Sequence, residues 1–109
     1  MGLDLTLAVD TFSLSNRSLA YERLTVDRDY ELFDAIDKIE TEEVKEIWWY
    51  EDEGVTIRSE DPYGAPLRKA KVKDVANAFS GVRCSPKNSA VRAYLLALPP
   101  DTEIIFWWH

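Results

Sequence analysis

The four tryptophans of this chain come as two adjacent pairs, Trp48-Trp49 in "EIWWYE" and Trp107-Trp108 in "IIFWWH". Both stretches are rich in β-branched and aromatic residues, which favour strands. Neighbouring side chains on a strand point to opposite faces, so each pair sends one indole to each side of a sheet. In the last stretch Ile104, Phe106 and Trp108 therefore oppose Ile105, Trp107 and His109. A strand that is apolar on both faces must be covered on both. A helix, a second subunit or a partner could supply the second cover.

The rest of the chain supplies helices for the first face. In "DRDYELFDAIDKIE", Leu32, Phe33, Ile36 and Ile39 recur at helical spacing, and Asp27 and Asp29 suit an N-cap and first turn, so a helix is expected over 29–40. "KVKDVANAFSGV" places Val72, Val75, Ala76 and Phe79 on one helical face before Gly81. "SPKNSAVRAYLLALPP" begins with a capping Ser85 and Pro86 at the first helical position, then sets Val91, Tyr94, Leu95 and Leu98 on one stripe. Alternation in "LDLTLAV" predicts a half-buried strand, "DTFSLSNR" a loop, and "SLAYERLTV" a second strand. "VKEIWWYEDEGVTIRSE" is expected to form a hairpin turning at Gly54, with a helix through Trp48 and Trp49 as the alternative. "DPYGAP" is a loop. Residues 1–109 thus form one α+β domain: a mostly antiparallel sheet of about five strands with two to three helices, in the order β-β-α-β-β-α-α-β.

Charge is unevenly placed. Residues 27–61 carry 14 acidic and 4 basic side chains, whereas residues 62–109 carry 3 acidic and 7 basic, and the whole chain has a formal charge of −7. Proteins that bind nucleic acid neutralise phosphates with clustered Lys and Arg, so direct nucleic-acid binding is not expected. No apolar run approaches the ~20 residues of a spanning helix, and no membrane association is expected. The opening "MGLDLTLAVD" lacks the basic and apolar regions of a secretory signal, and its strand pattern outweighs an acylation signal at Gly2 and Thr6. A single cysteine, Cys84, allows no internal disulfide and suits the cytoplasm.

The opening "MGLDLTL" and the close "YLLALPPDTEIIFWWH" resemble a loose set of small, mostly uncharacterised proteins of tailed bacteriophages and prophages, which open Met-Gly-Leu-Asp. The resemblance spans about a fifth of the chain, and its motifs are structural, so no catalytic or binding residue follows from it. It implies a mobile-element origin, a host-cell cytoplasm as the place of action, and a small phage protein that binds and inhibits a host protein.

Few residues suggest chemistry. His109 stands beside a carboxylate with no second histidine, so neither a base with partners nor a zinc site is expected. Cys84 precedes a helix start whose dipole would lower its pKa, but it lacks an orienting base and is expected to be a half-buried loop cysteine. Asp27, Asp29 and Glu31 echo a calcium loop, yet Leu32 stands where that loop needs glycine. The glycines form no phosphate-binding loop. Arg68, Lys69, Lys71 and Lys73 form the one basic run, expected to be a solvated strand or helix edge. No catalytic residue, metal or cofactor is therefore assigned.

The acidic middle and the tryptophans carry the functional expectation. A small acidic, non-enzymatic module would dock on a host protein, one with a basic nucleic-acid-binding groove, through Glu31, Asp34, Trp48, Asp52 and Glu53. One concrete version is a phage-encoded inhibitor of a host defence or nucleic-acid-processing protein. Two alternatives stand beside it: a carboxylate- or metal-dependent hydrolase using Asp4, Asp10 and a middle-region acid, and a structural protein that forms homodimers through its sheet face.

Overall fold

The computed structural model describes residues 3–14, 17–44, 46–51 and 53–109. Its elements follow in the order β1 (Leu5–Leu14), β2 (Arg17–Val26), α1 (Tyr30–Asp37), β3 (Glu42–Glu43), β4 (Ile47–Glu51), β5 (Gly54–Arg58), β6 (Arg68–Lys71), α2 (Val72–Ser80), α3 (Pro86–Ala97) and β7 (Glu103–Trp108). This is the expected α+β order with two short strands, β3 and β6, added. The seven strands form one sheet in the order β3-β6-β7-β1-β2-β4-β5. Every pairing is antiparallel except that of β2 with β4, where Ser18–Ala20 run beside Ile47–Trp49.

The helices obey their local signals. Asp29 caps α1 by accepting from the Leu32 N–H at 3.2 Å. Ser85 caps α3 by accepting from the Asn88 N–H at 3.1 Å, with Pro86 in its first turn. Asp27 does not join the α1 cap. It joins the end of β2 to the start of α3: its backbone N–H donates to Asn88 Oδ1 at 2.7 Å, its carbonyl accepts from Asn88 Nδ2 at 3.1 Å, and its carboxylate accepts from the Ser85 hydroxyl at 2.8 Å. Asn88 is fully buried at this junction, and both its amide atoms are satisfied. Helix α1 stops at Asp37, shorter than the 29–40 span, and Tyr94 on α3 is exposed where its spacing suggested burial. "DTFSL" is strand and not loop, since β1 runs on to Leu14.

The helices pack on one face of the sheet. Leu5, Leu7 and Val9 of β1, Val26 of β2, Ala70 of β6 and Ile104 and Phe106 of β7 meet Leu32, Phe33 and Ile36 of α1, Val75, Ala76 and Phe79 of α2, and Val91 and Leu95 of α3. β1 was expected to be half-buried, but Leu5 to Asp10 are buried on both faces.

The second cover comes from the chain itself. Register shifts after Val9 and Asp10 disrupt the β1–β2 ladder, and irregularities of this kind bend and twist the strands that carry them. Beyond them β2 receives β4, whose partner β5 ends one side of the sheet. Ser59, just past β5, accepts from the Leu67 N–H at 3.1 Å, and Glu60 bridges Pro66, just before β6 near the other end. Only residues 44–46 separate β3 at one end from β4 near the opposite one. The two ends therefore meet, and the sheet curls around a second core of Ala8, Val44, Ile47, Trp49, Leu67 and Ile105, with Trp107 packed against it.

The tryptophan pairs divide as their alternation requires. Trp108 meets Phe33 edge-on at 5.3 Å under the helices, while Trp107 stacks on Trp49 at 4.8 Å inside the curl. Arg23 lies over the Trp49 ring at 4.1 Å and Arg58 over Trp107 at 5.1 Å, extending the stack with two guanidinium groups. Trp48 is half-buried on the opposite side of β4, its indole N–H donating to Glu46 at 3.3 Å. Trp49→Ala is expected to cost about 3–5 kcal/mol in urea unfolding, as for other buried Trp truncations. Trp48→Ala should cost less, about 1–2 kcal/mol, because that ring is partly exposed and Trp49 is not. Equal losses would contradict the curled core.

Candidate functional site

The structure divides the five expected contact residues between two places. Glu31 and Asp34 are exposed one turn apart on α1, over the helix-covered face. Trp48 and Glu53 belong to the β4–β5 hairpin that curls across the other face, and Asp52 lies outside the described residues. On the outward side of this hairpin Trp48 stands opposite Ile57 in the ladder, and Val55 and Ile57 are 44% and 59% exposed on the last strand of the sheet.

The α1 side holds more geometry. Two adjoining clefts of about 360 and 320 Å³ share Asp37, Asp61 and Trp108 as walls. The outer cleft is lined by Leu3, Tyr30, Phe33, Asp34, Asp37, Asp61, Tyr63 and Trp108, and among the described residues no basic side chain lines it. Three of its rings form an edge-to-face row, with Tyr30 and Phe33 at 6.3 Å and Phe33 and Trp108 at 5.3 Å. The inner cleft adds Ile36, Thr41, Ala65, Pro66, Arg68 and Phe106. Arg68 is turned to Thr41, donating to its hydroxyl and, at 2.9 Å, to its carbonyl.

The "DPYGAP" loop supplies the far wall and is locally braced. Asp61 Oδ1 accepts from the N–H groups of Tyr63 at 2.8 Å and Ala65 at 3.1 Å. The Gly64 N–H donates to the Asp61 carbonyl at 2.9 Å, with Gly64 at φ +83°, a value that favours glycine. The Tyr63 hydroxyl reaches across to donate to the His109 carbonyl at 2.9 Å. His109 itself ends the β1–β7 ladder: it exchanges backbone hydrogen bonds with Asp4 at 2.9 and 3.1 Å, and its ring lies 2.9 Å from the Thr6 hydroxyl. Asp61, Tyr63, Tyr30 and Trp108 were not singled out by sequence as a group. Their only local signal is the Asp-Pro-Tyr-Gly turn, and nothing local places that turn beside α1.

The remaining candidates settle into structural positions. Asp4 accepts a bidentate pair from Arg28, Nε to Oδ1 at 3.2 Å and Nη2 to Oδ2 at 3.0 Å, and Asp10 is buried six residues further along the same extended chain. At ~3.3 Å per residue their separation is about 20 Å, too far for a carboxylate pair. Among the described residues no group of three His, Cys, Asp or Glu side chains is placed to hold a metal. The basic run is split, with Arg68, Lys69 and Lys71 on β6 and Lys73 on α2; Glu42 faces Lys69 and Glu43 faces Arg68 across the ladder, and Lys69 also pairs with Glu103 at 3.1 Å. No helix among the described residues is long and apolar enough to cross a membrane.

Cys84 departs from its expected electrostatics. Partial burial and then the nearby Asp29 carboxylate push its thiol above the ordinary value, outweighing Arg92. Its Sγ also donates to the Phe79 carbonyl at 3.3 Å, a bond that only the protonated form makes. The helix dipole does not win. At neutral pH iodoacetamide should modify Cys84 more slowly than a free cysteine peptide, with a pH midpoint displaced upward; faster modification would show an activated thiolate.

Asp4 moves the other way. The hydrogen bonds from Arg28 hold its carboxyl below the usual carboxylate range. What the pair contributes to stability is therefore present above the unfolded carboxylate pKa and is lost as pH falls through the depressed folded value. An NMR titration of the Asp4 carboxyl should show that low midpoint, and Arg28→Gln should raise it; an unchanged midpoint would assign the shift elsewhere.

The chain matches no known family model, no curated protein sequence and no solved structure.

Proposed function

We propose that this chain is a small acidic, non-enzymatic protein-binding module that docks on a basic surface of its partner. The observation that carries it is the α1 side of the molecule, where Asp34, Asp37 and Asp61 border a cleft with an aromatic floor and, among the described residues, no basic lining residue. None of these three carboxylates has an ion-pair partner among the described residues. Glu31 extends the same acidic face along α1. Such a surface steers an encounter through long-range attraction and then offers aromatic area for the buried contact. A host protein with a groove built for nucleic acid has the complementary charge. Combined with the phage-like opening and close, this supports an inhibitor acting in the host cytoplasm.

Immobilised protein should retain a cytoplasmic partner from host lysate, and retention should fall as salt rises. Glu31→Lys with Asp34→Lys should abolish retention while the far-ultraviolet circular dichroism stays unchanged. Retention that is indifferent to both salt and charge reversal would overturn acidic docking.

The exposed Val55 and Ile57 on the last strand favour a second reading, a homodimer built through β5. Light scattering during size exclusion separates the two: a dimer that Ile57→Lys converts to monomer supports that reading, and a monomer at high concentration removes it.

A further inference from the structure

Given the protein-binding reading, we infer that the outer cleft beside α1 receives a single arginine side chain presented by the partner protein. Asp34 and Asp37 border it from α1 and Asp61 from the facing loop, while the exposed Tyr30 and Tyr63 and the partly exposed Trp108 supply ring surface. Three carboxylates with no basic side chain among them repel anions and select a cation by charge. The rings then decide which kind of cation. A hydrated divalent metal needs six or more oxygen ligands and gains nothing from aromatic walls. An organic cation gains from both, since ring faces attract it and carboxylates hydrogen-bond its edge.

Size narrows the occupant further. About 360 Å³ is at the small end of the ~300–1,000 Å³ typical of ligand pockets. That is room for a side-chain head and stem, and too little for a folded segment. Guanidinium suits it better than ammonium: it is planar, weakly hydrated and able to stack on a ring while donating along its edge to two carboxylates. Two of the receiving groups, on the loop, are also held in place beforehand. Asp61 is fixed through Oδ1 to two loop N–H groups, and the Tyr63 ring is fixed through its hydroxyl to the His109 carbonyl. Less order is then lost on the loop side when a guest enters.

The test is a titration of ¹⁵N-labelled protein with a blocked Gly-Arg-Gly peptide and its citrulline and lysine counterparts. The arginine peptide should shift the Trp108 indole N–H and the amides of Asp61, Tyr63 and Ala65 saturably, leaving the Trp48 and Trp49 indoles in place. It should bind roughly tenfold tighter than the citrulline peptide, which keeps the shape and lacks the charge. Asp61→Asn keeps an Oδ1 acceptor for the loop, and Asp34→Asn changes an exposed helix position. Each should weaken binding severalfold with the rest of the spectrum preserved. No saturable shift, equal binding of citrulline, or shifts centred on Trp48 overturns the inference. Lysine binding as tightly as arginine overturns the choice of guanidinium.

The two levels of the proposal fail differently. If the peptide binds in the cleft but no partner is retained, the cleft stands and the module falls. If a partner is lost on charge reversal of α1 but keeps its affinity for Asp61→Asn, acidic docking stands and the arginine seat falls.

Discussion

Burial of both faces of β1 and β7 is the constraint from which the other features descend. Helices can cover one face of a sheet this size, and α1, α2 and α3 do so. The second face carries Ala8, Ile105 and Trp107, which are as apolar as the first. The chain resolves this by bending its own sheet, so that β4 brings Ile47 and Trp49 across as a lid. The Trp49–Trp107 stack marks where that lid closes, and the flanking guanidinium groups let two charged residues take part without giving up a favourable electrostatic partner.

The same curl makes the candidate site. Joining the two ends of the sheet pulls residues 59–67 across the gap, and the loop within them lands beside α1 and the end of β7. The cleft is therefore a by-product of closure, assembled from a helix, a loop and a strand end that are distant in sequence. Its charge is not neutralised by ion pairs among the described residues, which involve other carboxylates. Its rings and the Asp61 loop belong to the fold, whereas the exposed Asp34 and Asp37 carboxylates are left to meet a partner.

What the sequence made legible follows the range of the physics involved. Ser85 and Pro86 announce α3, Asp29 caps α1, Gly54 turns the β4–β5 hairpin at φ +136°, and the Val72–Phe79 stripe is buried as spaced. Each signal acts within a few residues. The strands β3 and β6 were illegible because they are short and held by cross-strand acid–base pairing and not by an apolar pattern. Asp27 was read as part of a local cap because its partner, Asn88, lies 61 residues away. The acidic character of residues 27–61 was plain, whereas its division between α1 and the hairpin, and the pairing of Asp61 and Tyr63 with α1, depend on the curl. Cys84 is the half-buried loop cysteine expected, although the upward direction of its pKa comes from burial and from Asp29, which no local signal showed.

The pairing of β1 with β7 has a consequence for how the molecule is made. Leu5 faces Trp108 and Asp10 faces Glu103, contacts that span nearly the whole chain. Topologies dominated by such distant pairings pay loop-closure entropy before any contact rewards it, and they fold slowly. During synthesis the β1–β2 hairpin emerges long before β7, with the apolar side chains of its central strand uncovered and one edge open. That interval of exposure is set by the same arrangement that finally buries Leu5, Leu7, Ala8 and Val9 against Ile104, Ile105 and Phe106.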